Sequence, residues 1–467
     1  MQPPFSKILV ANRGEIARRI FHSCRDLGIA TVAVHSQADR DSAHVAEADT
    51  AYDIGPAAAR DSYLCADKVL AAARDSGAQA IHPGYGFLSE NADFARAVQA
   101  AGLVWIGPAP DTIETMGDKQ RAREIARKAG VPVVPGSPRF TDDLSDLDQT
   151  GAQVGYPLLV KAAAGGGGIG MRRVDTPDML RPVVEATTSM AAKAFGDGTV
   201  YLERFIPQAR HIEVQVFGLG DGRAVHLFER DCSLQRRFQK VIEESPAPIL
   251  PAPVCAEMAQ AALRLCQATH YAGAGTIEFI YDPARQDFFF LEMNTRIQVE
   301  HPVTEAVTGL DLVAMQINLA AGRLSELDQG TITRSGHAIE CRIYAENPER
   351  NFLPSPGRIE VFRTPDAHPG LRIDSAYRAG DTITPYYDPM IAKVIVHAAT
   401  RDQARHDAIQ ALAAITIEGP KTNLAFMRAI LADPDFAAGQ FHTGFLESRR
   451  TQLLATLAAP LSAGQPA

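Results

Sequence analysis

Six cysteines are scattered through 467 residues, and no two of them form a C-x-x-C pair. Neither a disulfide framework nor a cysteine zinc site is signalled, and reduced thiols of a cytosolic protein are expected. Positive charge is not in excess either: 46 Lys and Arg stand against 55 Asp and Glu, for a formal net charge of -9. A phosphate backbone rewards clustered cations, so broad nucleic-acid binding is disfavoured, although a local basic pocket for a small anion is not. No apolar run approaches the ~20 residues of a membrane helix. The opening residues MQPPFSKILVANRGEIARRI offer only a short apolar stretch before charges begin, so no secretory signal is read and the cytoplasm is the expected compartment. G-x-S-x-G and H-E-x-x-H are absent as well, which removes the usual marks of a serine hydrolase and a zinc enzyme.

With 46% hydrophobic and 22% charged residues, the composition is that of a globular chain, and its length suggests roughly three domains. Lys7 to Ala11 reads as a buried strand. The turn Asn12-Arg13-Gly14 leads into a helix with Ile16, Ile20, Cys24 and Leu27 on one face, stopped by Gly28. Further strands at 29–34 and 78–82 give a doubly wound α/β layout over 1–115. A dinucleotide-binding domain would want G-x-G-x-x-G after the first strand, and Asn12 to Ala17 supplies one glycine. Residues 116–134 read as a charged helical connector, 135–205 as a small glycine-rich unit, 206–450 as one larger domain of alternating strands and helices, and 451–467 as a frayed tail.

Gly165 to Gly168 and Gly170 suit neither a helix nor a strand interior. Adjacent glycines expose several N–H groups and so form an anion nest. A P-loop would continue with Lys and Ser/Thr, whereas Met171 and Arg172 follow here, which makes this a phosphate-covering loop of another kind.

The runs 276–281 and 288–294 flank a Pro-containing turn and read as a hairpin. Glu278 and Glu292 lie seven residues either side of Arg285 and come out opposite each other, with Asn294 on the face of Glu292. Two adjacent carboxylates and an amide oxygen suit a hard divalent cation, Mg²⁺ above all. Next comes NTRIQVEHPVTE, too polar for a core strand without ligands. Arg296 could hold an oxyanion with Glu300 as its base, or the two could form a salt bridge. Arg236 and Arg237 are expected on a solvated face. Lys240 and Arg342 are left open by the residues alone, and His82 and Tyr85 in HPGYGFLSEN are expected in packing or turn roles. Bottom-up, these features describe an ATP- and Mg²⁺-using ligase or transferase.

The segments ANRGEIA, IHPGYGFLSEN, MGDK, GGGGIGM, ERDCSLQRRFQK, EMNTRIQVEHPVTE, ECRIYAEN and FLPSPG follow one another in an order and spacing that resembles the biotin carboxylases. The resemblance implies a mixed α/β and α+β ATP-grasp fold: an N-terminal Rossmann-like pre-ATP-grasp domain, a mobile lid and a C-terminal biotin carboxylase domain. It implies that Lys119 and Lys161 contact ATP phosphates, with Gly167 and Gly168 closing over them. Glu203, Arg204, Phe205 and Ile206 would hold the adenine and His211 the ribose side, with Gln235 and Phe238 also near the nucleotide. Glu278, Glu292 and Asn294 would bind Mg²⁺ or Mn²⁺. Lys240, Arg296, Gln298 and Val299 would hold bicarbonate, Glu300 would deprotonate it, and Arg342 would face the biotin ureido oxygen.

The implied chemistry is ATP- and bicarbonate-dependent carboxylation of biotin through carboxyphosphate, as in the first half-reaction of acetyl-CoA carboxylase or a related acyl-CoA or urea-type enzyme. No Met-Lys-Met biotinylation signature occurs in the chain, so a biotin carboxyl carrier protein and a carboxyltransferase subunit are the implied partners, and the resemblance suggests a homodimer. Two departures from the pattern are Ile169 and Phe238, where many members carry Arg or Lys and His.

Overall fold

The computed structural model describes residues 5–140, 144–163, 170–195, 197–237, 239–366 and 368–458. The expected contacts of Gly167, Gly168, Ile169 and Phe238 lie outside the described residues.

The N-terminal part is a parallel sheet built from β1 (Lys7–Val10), β2 (Ala30–His35), β3 (Thr50–Asp53), β4 (Ala80–His82) and β5 (Val104–Trp105), in the order β3-β2-β1-β4-β5. The apolar strand residues Ile8, Leu9 and Val10 are fully buried, as expected for a sheet covered on both faces. Ile16, Ile20 and Cys24 of the helix Gly14–Asp26 fill the core beneath it. Strand order reverses at β1, which lies between β2 and β4. The loops leaving the carboxyl ends of β1 and β4 therefore diverge and leave a crevice, the place where open α/β sheets bind ligands. Gly14 turns the first of these loops at φ +64°, with the methyl of Ala376 3.3 Å from where its own Cβ would be.

The charged connector is two helices, Pro110–Gly117 and Lys119–Lys128. Asp118 separates them because its carboxylate accepts from the N–H groups of Gln120 and Arg121 and so caps the second. The glycine-rich unit holds β6 (Leu158–Ala162), β7 (Met171–Val174) and β8 (Val200–Arg204), in the order β7-β6-β8, with the helix Leu180–Phe195.

An antiparallel sheet, eight-stranded among the described residues, spans the rest. It comprises β9 (Arg210–Leu219), β10 (Ala224–Arg236), β11 (Gln239–Ser245), β12 (Ala272–Asp282), β13 (Asp287–Asn294) and β14 (His337–Tyr344), with the strands Met390–Ala398 and Leu371–Ser375. The order is β13-β12-β9-β10-β11-β14, then Met390–Ala398, then Leu371–Ser375. This one sheet brings Glu278, Glu213, Lys240 and Arg342 side by side although they are far apart in the chain. The helix Phe445–Ala458 runs through the first half of the segment expected to be frayed, because Leu453 is buried and Leu454 and Leu457 pack on the core.

The parallel sheet is tied to the large one by several contacts. Lys393 lies 3.2 Å from Glu15, and the Arg13 guanidinium lies 4.4 Å over the ring of Tyr387. The Ser36 and Tyr387 hydroxyls are 2.5 Å apart.

Candidate functional site: a carboxylate cluster beside an arginine-lined cleft

Hairpin geometry comes first. From Asp282↔Asp287 through Phe279↔Phe290 the register is regular and would set Glu278 opposite Leu291. A bulge then shifts it, so that Glu278 faces Glu292 and Thr276 faces Asn294. The expected opposition of the two glutamates is therefore found, by way of one extra residue. Their surroundings differ sharply. Glu278 is buried and accepts from Lys240 (2.8 Å), Asn294 (3.0 Å) and Gln298 (2.9 Å), with His211 Nε2 at 3.0 Å. Glu292 is partly exposed and lies 3.6 Å from the Lys119 ammonium.

Lys240 is the hub. Its Nζ donates to Glu213 (2.6 Å), Glu278 (2.8 Å) and Glu300 (2.6 Å). Burial alone would lower the pKa of Lys240, but the three carboxylates hold it well above its ordinary value. Burial would likewise raise Glu278 and Glu300. Lys240 and His211 instead hold the Glu278 carboxyl well below the usual range, and Lys240, Arg342 and Arg230 do the same for Glu300. Glu213 and Glu278 with His211, and Glu213 and Glu300 with Cys232, are spaced as metal ligands are. The Lys240 ammonium sits at contact distance from all three of these carboxylates and fills the space between them.

Glu300 also accepts from Arg342 Nη2 at 2.9 Å. Arg296 donates to Glu90 (2.9 Å) and to Asn294 Oδ1 (2.9 Å), and is not paired with Glu300 in a salt bridge. Gln298 accepts from Arg230 at 2.9 Å while donating to Glu278. The Val299 carbonyl accepts from Lys393 at 2.8 Å. Gln235 bridges the Cys232 carbonyl and His211 Nδ1, each at 2.9 Å. One connected network thus gathers Lys240, Glu278, Asn294, Arg296, Gln298, Glu300, Arg342, His211 and Gln235.

The other expected nucleotide contacts stand apart from this network. Lys161 pairs with Glu203, which also accepts from Arg123 at 2.8 Å. Arg204 donates to the Val154 carbonyl at 3.0 Å. The Phe205 ring lies under Arg173, 4.6 Å from its guanidinium carbon, and Ile206 is buried in a small apolar cluster. Lys119 is largely exposed.

Arg342 opens into a cleft of about 460 Å³. Asn12 to Ile16 and Tyr85 to Phe87, from the two loops at the strand-order reversal, form one wall. Val299, Arg342, Tyr344 and Tyr386 to Asp388 help form the other. His82 has the expected turn role, its Nδ1 accepting from Gly84 N at 3.0 Å. Tyr85 faces the cleft and donates to Glu15. Arg237 is exposed as expected. Arg236 is not: it pairs with Glu346 at 2.5 Å and lies over the Phe352 ring, where both charge and stem are satisfied.

Sequence reasoning missed Arg230. It is fully buried and donates to Glu213 (2.5 Å), Gln215 (2.6 Å), Thr304 (2.9 Å), Thr276 (3.1 Å) and Gln298 (2.9 Å). Glu213 was missed as well. The available signal was period-two polarity, His211-Glu213-Gln215, in an otherwise apolar strand.

Comparison with known proteins agrees along the whole chain. Residues 4–113 match the family described as "Biotin carboxylase, N-terminal domain", 118–328 "Carbamoyl-phosphate synthase L chain, ATP binding domain", and 340–448 "Biotin carboxylase C-terminal domain". "Biotin carboxylase 1" of Bacillus subtilis is 49% identical over 442 residues, 95% of this chain and 98% of that protein. The mitochondrial methylcrotonoyl-CoA carboxylase subunit alpha of Dictyostelium discoideum is 47% identical over 459 residues. That match takes in 98% of this chain and 65% of the longer subunit. The biotin carboxylase domain dimer of Hydrogenobacter thermophilus 2-oxoglutarate carboxylase, solved with MgADP, ADP and bicarbonate, is 44% identical. It superposes with a TM-score of 0.86 over 96% of this chain and 98% of that one. The fold, the polar network and these similarities converge: the chain belongs to the biotin carboxylase family of ATP-dependent ligases.

Proposed function

We propose that this biotin carboxylase carries out the first half-reaction of acetyl-CoA carboxylase, carboxylating biotin on a separate carrier protein that then meets a carboxyltransferase. The near-complete two-way match with a biotin carboxylase supports a subunit of that kind. The reading of the site rests on one observation: Lys240 and Arg342 hold Glu300 from two sides, between the Glu278–Asn294–Arg296 row and the open cleft.

Lys119 and Lys161 are assigned to the triphosphate, and Glu203 to Ile206, His211 and Gln235 to the nucleoside. Glu278, Glu292 and Asn294 offer all-oxygen donors suited to Mg²⁺ or Mn²⁺, with Arg296 sharing the Asn294 oxygen. Bound there, the metal would neutralise phosphate charge.

Bicarbonate is a weak nucleophile, and the cations Lys240 and Arg296, with Gln298 and the Val299 backbone, orient it toward the γ-phosphorus. As an anion settles against Lys240, Glu300 loses part of its hold, its basicity rises, and it takes the bicarbonate proton. The bicarbonate oxygen bonds to phosphorus as ADP leaves, giving carboxyphosphate. That species breaks into CO₂ and phosphate, the phosphate takes the biotin N–H proton, and the nitrogen bonds to CO₂. Arg342 stabilises the enolate oxygen formed on the way.

Two assays test the proposal. ATP hydrolysis by the purified chain should require bicarbonate and rise with free biotin. Hydrolysis indifferent to bicarbonate would overturn the reading. Reconstitution with carrier and carboxyltransferase subunits should yield malonyl-CoA from acetyl-CoA, and carboxylation of another acyl-CoA in its place would move the acceptor assignment.

A further inference from the structure

Behind Arg342 lies a second acidic pair that the carboxylation scheme does not use. Glu243 on β11 and Glu340 on β14 are directly opposed in the antiparallel register. Cβ atoms so placed are about 5 Å apart. Both side chains are fully buried, and among the described residues Glu340 accepts no hydrogen bond while Glu243 meets only the Arg342 guanidinium. Arg342, two residues from Glu340 along β14, brings Nη2 to 2.6 Å from Glu243 Oε1 while donating to Glu300. One guanidinium group therefore touches the proposed base on one side and this unexplained pair on the other.

The charged and titratable surroundings are few. Glu243 faces Arg342, Glu300, Lys240, Tyr344 and the thiols of Cys232 and Cys341. Glu340 faces Lys393 on the next strand, Glu243, Arg342 and Glu300. Lys393 is itself shared with Glu15 at 3.2 Å and Asp374 at 3.8 Å. On the helix His301–Thr308, which packs against β14, Glu305 is taken up by Arg19 and Arg372, and His301 by the Gln298 carbonyl. Among the described residues Lys393 is shared with Glu15 and Asp374 and Arg342 with Glu300, so a second anion in the pair has no cation of its own, and two like charges in one dry site cannot both persist cheaply.

We propose that Glu243 is a positioning residue for Arg342, and that Glu243 and Glu340 hold one proton between them, which stays on Glu340 while Glu243 anchors the guanidinium. This rests on the biotin carboxylase reading above. Burial, with Glu243 adding to it against Lys393, holds the Glu340 carboxyl well above the usual range and keeps it neutral. Burial pushes Glu243 up to about 7 against the pull of Arg342. A raised carboxyl is ionised above its folded value and protonated below it. The anchor is therefore present above about pH 7 and is lost as pH falls through it. Once released on that side, Arg342 turns toward Glu300 and away from the biotin oxygen.

The test has two arms on the full chain. In the first, infrared spectra separate protonated carboxyls from carboxylates whatever the activity. Wild type should show a protonated-carboxyl band through the neutral range that Glu340→Gln removes, and a second that grows as pH falls through about 7 and is absent in Glu243→Gln. In the second, kcat/KM for biotin should fall below that midpoint in wild type. In Glu243→Gln it should be low and flat with pH, down about 10- to 100-fold, the scale of one charged hydrogen bond. Glu243→Asp should recover a pH-dependent limb.

The absence of protonated carboxyl in wild type at neutral pH overturns the proposal, as does a wild-type pH profile in Glu243→Gln. A chain that shows both bands but no bicarbonate-dependent hydrolysis refutes the functional reading and leaves the proton pair standing.

Discussion

Replacing Lys240 by Met keeps the stem and removes a charge that touches three buried carboxylates at 2.6, 2.8 and 2.6 Å. Deleting one member of a buried ion pair costs about 3–5 kcal/mol, because the partner stays behind uncompensated. At roughly 2–4 °C per kcal/mol, the apparent unfolding temperature should drop on the order of 10 °C. The pH dependence is the sharper signature. In wild type the Glu278 and Glu300 carboxyls are held below their ordinary value. Their contribution is complete above the unfolded value of about 4.3 and disappears only in stronger acid. Without Lys240, burial is opposed only by His211 at Glu278 and by Arg342 and Arg230 at Glu300, so these carboxyls rise, and the variant is penalised most at high pH and relieved as protons bind. Thermal melts of both proteins from pH 8 to pH 5 should show the gap shrinking toward acid. A gap that stays constant, or a cost below about 1 kcal/mol at pH 8, would mean that the three contacts are not a buried nest.

Glu300→Gln should lower bicarbonate-dependent turnover by about 10²- to 10⁴-fold, the range of a lost general base, with ATP binding measured by calorimetry kept. Near-normal turnover would remove Glu300 from that role. Glu292→Gln should raise the Mg²⁺ concentration needed for half-maximal hydrolysis, and chelation should stop hydrolysis in both proteins; an unchanged Mg²⁺ titration would place the metal elsewhere. Arg230→Met strips five hydrogen bonds from the cluster and should destabilise the chain by about 3–5 kcal/mol, read by denaturant titration. A neutral effect would show that the buried arginine is dispensable.

Legibility in the sequence followed distance along the chain. Glu278, Glu292, Asn294, Arg296 and Glu300 lie on one hairpin and its continuation, where period-two reasoning works, and the bulge at Leu291 happens to restore the opposition that symmetric counting about Arg285 suggested. Lys240 and Arg342 are brought to Glu300 by the pairing of β11 with β14, strands remote in the chain, which no local pattern encodes, and only the family resemblance placed them. Arg230 and Arg236 show the same limit from the other side. A lone cation on a strand reads as solvated, yet Arg230 is buried and Arg236 half-buried because partners distant in sequence, Glu213 and Glu346, meet them in space. The doubly wound N-terminal layout was readable because parallel strands and their helices alternate locally. The continuous helix to Ala458 was not, since its anchoring leucines signal nothing until the core they meet is known.

The crevice in front of Arg342 is a seam, bounded by two sheets that share no strand. Its width depends on how firmly the sheets are fastened, through Arg13 and Ser36 on Tyr387 and through Glu15 on Lys393. Substitutions at these fasteners can widen or narrow the gap without touching a reacting group, so selectivity for what enters is adjustable from outside the chemistry.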